Sequence, residues 1–152
     1  VTKLWKTYNS GVHGAYSLSV NGYLTPFIVN LPSGRTLDYG LIRTDGKGNQ
    51  RRYVAKLMRH GKKVLTKLWG GFITENASQA LARDIFSDML VRIDGAGYKI
   101  VLHVHDEVVI EVDALQAEET LQNVLQIMSC PPTWIPDIPL AAEGSILSRY
   151  TK

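Results

Sequence analysis

The sequence is short of cysteine, of acidic residues in its first half and of any long apolar run, and each shortage excludes something. Cys130 is the single cysteine, so an internal disulfide and an all-cysteine zinc site are both out of reach. No apolar stretch approaches the ~20 residues that a membrane-spanning helix needs, and nothing resembles a secretory signal. No internal repeat or low-complexity tract is present. What remains is 152 residues, 45% hydrophobic and 20% charged, which is ordinary globular composition and one domain's worth of chain. The expectation is a soluble, cytoplasmic protein with a buried core and no membrane partner.

The net charge of +3 hides an asymmetry. Residues 1–74 carry 12 Lys and Arg against 2 acids, Asp38 and Asp45, a balance of +10; residues 75–152 carry 5 Lys and Arg against 12 acids, a balance of −7. Basic and acidic halves in one small domain point to a polyanion on one side and metal ions on the other. Positive charge is densest from Arg51 to Lys67, where Arg51, Arg52, Lys56, Arg59, Lys62, Lys63 and Lys67 stand without a single acid. Two β-rich arms, 51–58 and 62–69, flank Arg59-His60-Gly61 and predict a basic hairpin. Such a ribbon suits a duplex backbone, because neutralising phosphates releases counterions and gives sequence-independent affinity. Arg51, Arg52, Lys62 and Lys63 are its DNA-binding candidates. Lysines on an edge strand also deter aggregation, and that plainer role is compatible with the first.

Upstream, Val1 to about Ser10 could end a helix, and Phe27–Leu31 and Arg35–Tyr39 read as strands joined by Pro32-Ser33-Gly34. Gly70-Gly71 break the pattern before the best helix in the chain, with Thr74 as N-cap and Glu75 in its first turn. Gly95 and Gly97 end it. At about 100° per residue, Asn76, Gln79, Arg83 and Ser87 form one polar stripe, and Leu81, Ile85, Phe86, Met89 and Ile93 cover the other side. Gln and Asn can bond the acceptors that every base pair offers in the minor groove. Downstream, Asp113 and Gln116 suggest a capping box for a helix to about Met128. A proline-stiffened connector, 130–136, and a short strand, 138–143, follow.

Between the two helices lies Lys99-Ile-Val-Leu-His-Val-His-Asp-Glu-Val-Val-Ile-Glu-Val112. Its Val/Ile arms, 100–104 and 108–112, predict paired strands around a polar centre, His105-Asp106-Glu107. Tight hairpin turns favour Asn-Gly or Gly-X. Two adjacent carboxylates at the tip repel each other unless protonated or given a cation, so this turn breaks its own chemistry, as functional sites tend to. Mg²⁺ prefers carboxylate oxygens and keeps several waters, and a carboxylate pair on a rigid ribbon suits it. An acidic surface turn is the plainer reading.

Val104-His105-Asp106-Glu107 between these arms resembles motif C of family-A DNA polymerases. Thr74-Glu-Asn-Ala-Ser-Gln-Ala-Leu-Ala-Arg-Asp-Ile85 resembles the helix that precedes motif C there, in its bacteriophage version. Leu31-Pro-Ser-Gly-Arg35 with Tyr39, and Pro139-Leu-Ala-Ala-Glu-Gly144 before a basic end, match in the same order. The resemblance implies an α+β palm fragment: an antiparallel sheet with the motif-C hairpin, backed by two helices, plus the basic hairpin as an extension. It implies two-metal nucleotidyl transfer with Mg²⁺, in which Asp106 is a metal ligand, Glu107 an auxiliary carboxylate and His105 a neighbour of the primer end. It also implies Gln79, Arg83, Asn76 and Arg35 as DNA contacts, with primer-template DNA and dNTPs as partners. The family's motif A and motif B are not in these 152 residues. Asp38-Tyr-Gly-Leu-Ile42 imitates motif A, but it follows Ser33-Gly-Arg35, whose counterpart lies after motif B, so Asp38 is read as a decoy. The expectation is therefore a single-domain C-terminal piece, residues 1–152, of a longer polymerase, inactive alone. The rival is a non-catalytic DNA-binding module using the basic 51–67 ribbon. A hydrolase using His103, His105 and Asp106 is disfavoured because zinc normally takes three protein ligands and no further cluster is present.

Overall fold

The computed structural model describes residues 25–47 and 52–150. The expected helix end before Ser10, and Arg51, lie outside them. The described chain forms β1 (Thr25–Asn30), β2 (Thr36–Asp45), β3 (Arg52–Arg59), β4 (Lys62–Leu68), α1 (Gly70–Gly95), β5 (Ile100–Val104), β6 (Glu107–Ile110), a 3₁₀ turn (Ala114–Gln116) and α2 (Ala117–Ser129). This is a mixed α and β chain with antiparallel pairing throughout. It separates into two compact units, one through Ala80 and one from Leu81. No helix among the described residues is long and apolar enough to cross a membrane.

The first unit is built on a four-stranded sheet of order β1-β2-β3-β4. The basic ribbon is thus half of a sheet rather than a separate extension, because β2 runs on to Asp45 and pairs with β3 from Ile42↔Ala55 to Asp45↔Arg52. His60 (φ 48) and Gly61 (φ 76) make the two-residue β3–β4 turn, with Arg59 opposite Lys62. Positive φ at both central residues matches the strand twist. In β2, Tyr39 and Gly40 together face Phe27, a bulge for which Gly40 takes φ 68. One face of the sheet is the core: Tyr39, Ile42, Ala55, Leu68 and Ile73 are buried, with Phe27, Val29, Leu37, Leu57 and Phe72 around them. Phe27 and Phe72 pack on Tyr39 at 5.3 and 6.4 Å between ring centroids. Burial pushes the Tyr39 phenol up, and a hydrogen bond from Asn76 opposes this.

Helix α1 starts four residues earlier than Thr74. The Trp69 carbonyl accepts the first helical bond from Ile73 N–H (3.1 Å), so Trp69 occupies the cap position. Gly70 and Gly71 lie inside the helix, and Glu75 falls beyond its first turn. Packing of Phe72 and Ile73 on the sheet core overrides the glycine penalty, about 1 kcal/mol each. The C-terminus is as expected: Tyr98 N–H bonds Ile93 C=O (3.3 Å), Gly97 N–H bonds Asp94 C=O (2.9 Å) and Gly97 takes φ 88.

In the second unit, Ile85, Phe86 and Met89 of α1 are buried against Val108, Met128, Trp134, Ile135, Ile138 and Leu140. Arg92 links the two helices, pairing with Asp88 (2.8 Å) and donating to Cys130 C=O (2.9 Å). Strands β5 and β6 form their own two-stranded sheet. Two further expectations fail here. Asp113 makes no side-chain cap, since its carbonyl instead accepts Gln116 N–H (2.9 Å) and starts a 3₁₀ turn. Residues 138–143 pair with no strand; Ile138 and Leu140 pack as irregular chain instead.

Candidate functional site

The β5–β6 hairpin closes more tightly than its sequence suggests. Val104 pairs directly with Glu107, so His105 and Asp106 alone make the turn and Glu107 begins β6. His105 takes φ 53, a left-handed conformation that is uncommon outside glycine and costs roughly 1 kcal/mol or more. His105, Asp106 and Glu107 are all exposed. At the base of the hairpin, Glu111 N–H bonds Lys99 C=O (3.1 Å) and the two side chains form an ion pair. The hydrogen bond from Lys99, reinforced by its charge, holds the Glu111 carboxyl below its ordinary range.

The hairpin rests on α1. Val108 packs on the Ile85–Phe86–Met89 cluster, and the His103 ring meets Phe86 edge-on at 6.1 Å and 64°. At the tip, the Tyr150 phenol lies near the Glu107 carboxylate. Partial removal from water and then the Glu107 charge push the Tyr150 phenol up. No local sequence signal links Tyr150 to Glu107, and reasoning from sequence missed it.

The donor set at the tip is two adjacent carboxylates, and among the described residues no group of three or more potential ligands gathers anywhere. Two hard oxygen donors fit a Mg²⁺ that keeps most of its coordination for water and phosphate. They do not make a closed protein cage.

The DNA-contact candidates are dispersed. Arg35 donates to Ala80 C=O (2.8 Å), tying the β1–β2 turn to α1. Asn76 donates to the Tyr39 hydroxyl (3.2 Å) and so faces the core. Gln79 reaches Glu75 (3.4 Å), and Gln79 and Arg83 are exposed one turn apart. Arg52 bonds one Asp45 oxygen through Nε (3.0 Å) and a terminal nitrogen (2.9 Å). That contact lowers the Asp45 pKa. Lys62 and Lys63 are exposed on β4. Asp38 accepts Gly40 N–H (2.7 Å) and so stabilises the β2 bulge. The pairing register also adds Arg43 to the basic set, opposite Val54; its parity with the other strand cations was the available signal.

No family model matches the chain, and no solved structure does. Over 143 residues it is 37% identical to the DNA polymerase of Bacillus phage SP02, an alignment covering 92% of this chain and 21% of that protein. The chain therefore spans about a fifth of the relative's length. Nearly all of this sequence is similar to one segment of a phage DNA polymerase.

Proposed function

We propose that the chain is the C-terminal palm segment of a family-A DNA polymerase. The whole enzyme would extend a primer on a template with dNTPs in the host cytoplasm, and the segment alone would not polymerise. The observation that carries this reading is the two-residue turn presenting Asp106 beside Glu107 on a hairpin packed against α1, in a chain similar to a phage DNA polymerase. Asp106 and Glu107 would hold Mg²⁺, which when bound lowers the pKa of a primer hydroxyl and offsets charge on the leaving pyrophosphate.

The chain's own residues set the position of that chemistry. A turn of only two residues places Asp106 directly before β6, with His105 alone between it and β5. The Tyr150 phenol stands near Glu107, at the start of β6. His105 stands next to Asp106 at the primer end, and Gln79 and Arg83 supply an exposed polar stripe for the minor groove. The second carboxylate of the metal site and the cation that meets the triphosphate would come from the rest of the enzyme.

The test is a chimera in which this chain replaces its counterpart in the SP02 polymerase. Mg²⁺-dependent primer extension is expected, and Asp106→Ala should lower it by several orders of magnitude, more than the ~10²–10³-fold loss of a single electrostatic donor. Glu107→Ala and Gln79→Ala should cost less, about 10²-fold through misplacement. Equal extension with Ala at position 106 would leave the carboxylates as a hairpin tip and favour a non-catalytic DNA-binding module.

A further inference from the structure

The register of the four-stranded sheet sorts its charged residues by face. Ile42, Ala55 and Leu68 point into the core, and Thr66 and Leu57 share their parity. The alternate positions form the outer face: Arg43 and Asp45 on β2, Arg52, Val54, Lys56 and Met58 on β3, Lys63, Leu65 and Lys67 on β4; Val54 alone among them is buried. Lys62, next to Lys63 in sequence, has the core-face parity at the hairpin tip. Of the cations from Arg52 to Lys67, Arg52, Lys56, Lys63 and Lys67 therefore share the outer face, while Arg59 and Lys62 pair with each other at core-face parity beside the turn.

We propose that this outer face docks the phosphate backbone of a DNA duplex, through Arg43, Lys56, Lys63 and Lys67. Lys63, Lys56 and Arg43 occupy successive diagonal positions across β4, β3 and β2, with steps of about 7–8 Å. Arg43 and Lys67 flank Val54 from the two neighbouring strands. Internal compensation is confined to Asp45, which is bonded by Arg52 and also attracted by the Arg43 charge. Lys56, Lys63 and Lys67 form no ion pair among the described residues. Like charges at neighbouring sheet positions destabilise the free protein, and a polyanion removes that repulsion while shedding its own counterions.

The composition of the face favours duplex over single strand. Proteins that hold single strands add aromatic platforms on which bases stack; among the described residues the outer strand positions from Leu41 to Lys67 carry Leu, Val and Met but no aromatic residue, and the exposed Trp69 just past β4 lies with its ring against Gly71. Nor do the described outer strand positions present Asn or Gln for base edges, so the contact reads phosphate and not sequence. The choice of DNA over another polyanion rests on the polymerase reading; the geometry of the face does not.

The experiment is fluorescence anisotropy of the 152-residue chain with a labelled 20-base-pair duplex and, separately, its single strand. Duplex should bind without sequence preference, and four contacts at a slope of about 0.9 each predict roughly 10²-fold weaker binding from 50 to 200 mM salt. Lys56→Gln, Lys63→Gln and Lys67→Gln should each reduce the salt slope by about one. Lys62→Gln should reduce it less than Lys63→Gln, and Lys99→Gln, in the other unit, should leave it unchanged. Circular dichroism melts on every variant keep misfolding separate from lost contact. Single strand bound as tightly as duplex, a larger loss at Lys62 than at Lys63, or no salt-dependent binding would each overturn the proposal. None of these readouts requires catalysis, so a failure of the Asp106 chemistry would leave them unaffected.

Discussion

Phe86→Ala tests whether α1 holds the acidic hairpin in place. The hairpin is two strands of five and four residues in a sheet of its own, and an isolated two-stranded hairpin is marginal in water. Its support is Phe86, 5% exposed, which contacts the His103 ring and lies in the cluster that packs Val108. A buried Phe removes about 200 Å² from water, or about 5 kcal/mol at ~25 cal/mol per Å². Alanine keeps part of that surface but leaves a cavity, so about 3–5 kcal/mol should be lost. This is a large share of the 5–15 kcal/mol that typically holds a domain. Native-state hydrogen exchange read by NMR gives the distribution. Amides from Leu102 to Val109 should lose protection by the full amount, roughly 10²–10³-fold or more, and amides of β1–β4 by far less. Phe86→Leu, which refills most of the volume, should cost less than half as much. A loss under 1 kcal/mol, or one shared evenly by the β1–β4 sheet, would refute the assignment of α1 as the platform of the tip.

Two further outcomes bear on the carboxylates. Asp38→Ala removes the acceptor of the exposed Gly40 amide and should cost about 0.5–1 kcal/mol in urea denaturation, with chimera extension unaffected; a collapse of extension like that at Asp106 would make Asp38 a functional carboxylate. The Tyr150 phenol is raised by partial removal from water and by Glu107, so Glu107→Gln should bring it down, as followed by ¹³C NMR of the ring. A raised acid holds its proton more tightly in the folded chain, so this contribution to stability is full below the ordinary tyrosine value and fades as pH climbs through the folded one. An unmoved Tyr150 titration would rule out that proximity.

The parts legible in the sequence were those set by local pattern. The β-branched arms around His105-Asp106-Glu107 gave a hairpin, and the 3.6-residue period from Asn76 to Ile93 gave a helix with Ile85, Phe86, Met89 and Ile93 buried. What escaped was decided by distant partners. Gly70 and Gly71 read as breakers, yet Phe72 and Ile73 draw the first turn of α1 onto the sheet. The pairing of β2 with β3 was hidden because Thr44 to Asn49 carries loop composition, which conceals that Asp45 faces Arg52. Residues 138–143 alternate like a strand but find no partner to complete a ladder. The carboxylates of the tip were plain in sequence, whereas Tyr150 comes near Glu107 from the far end of the chain.

The two-residue turn also governs how this region can diverge. With Val104 opposite Glu107, one residue inserted or deleted at the tip would send every β6 side chain to the other face. Val108 would leave the Ile85–Phe86–Met89 cluster and Val109 would take its place. Exchanges of residue at the tip are therefore open to descendants of this sequence, but changes of length are not. Length can vary after Leu140, where the chain has neither helix nor strand to keep in register.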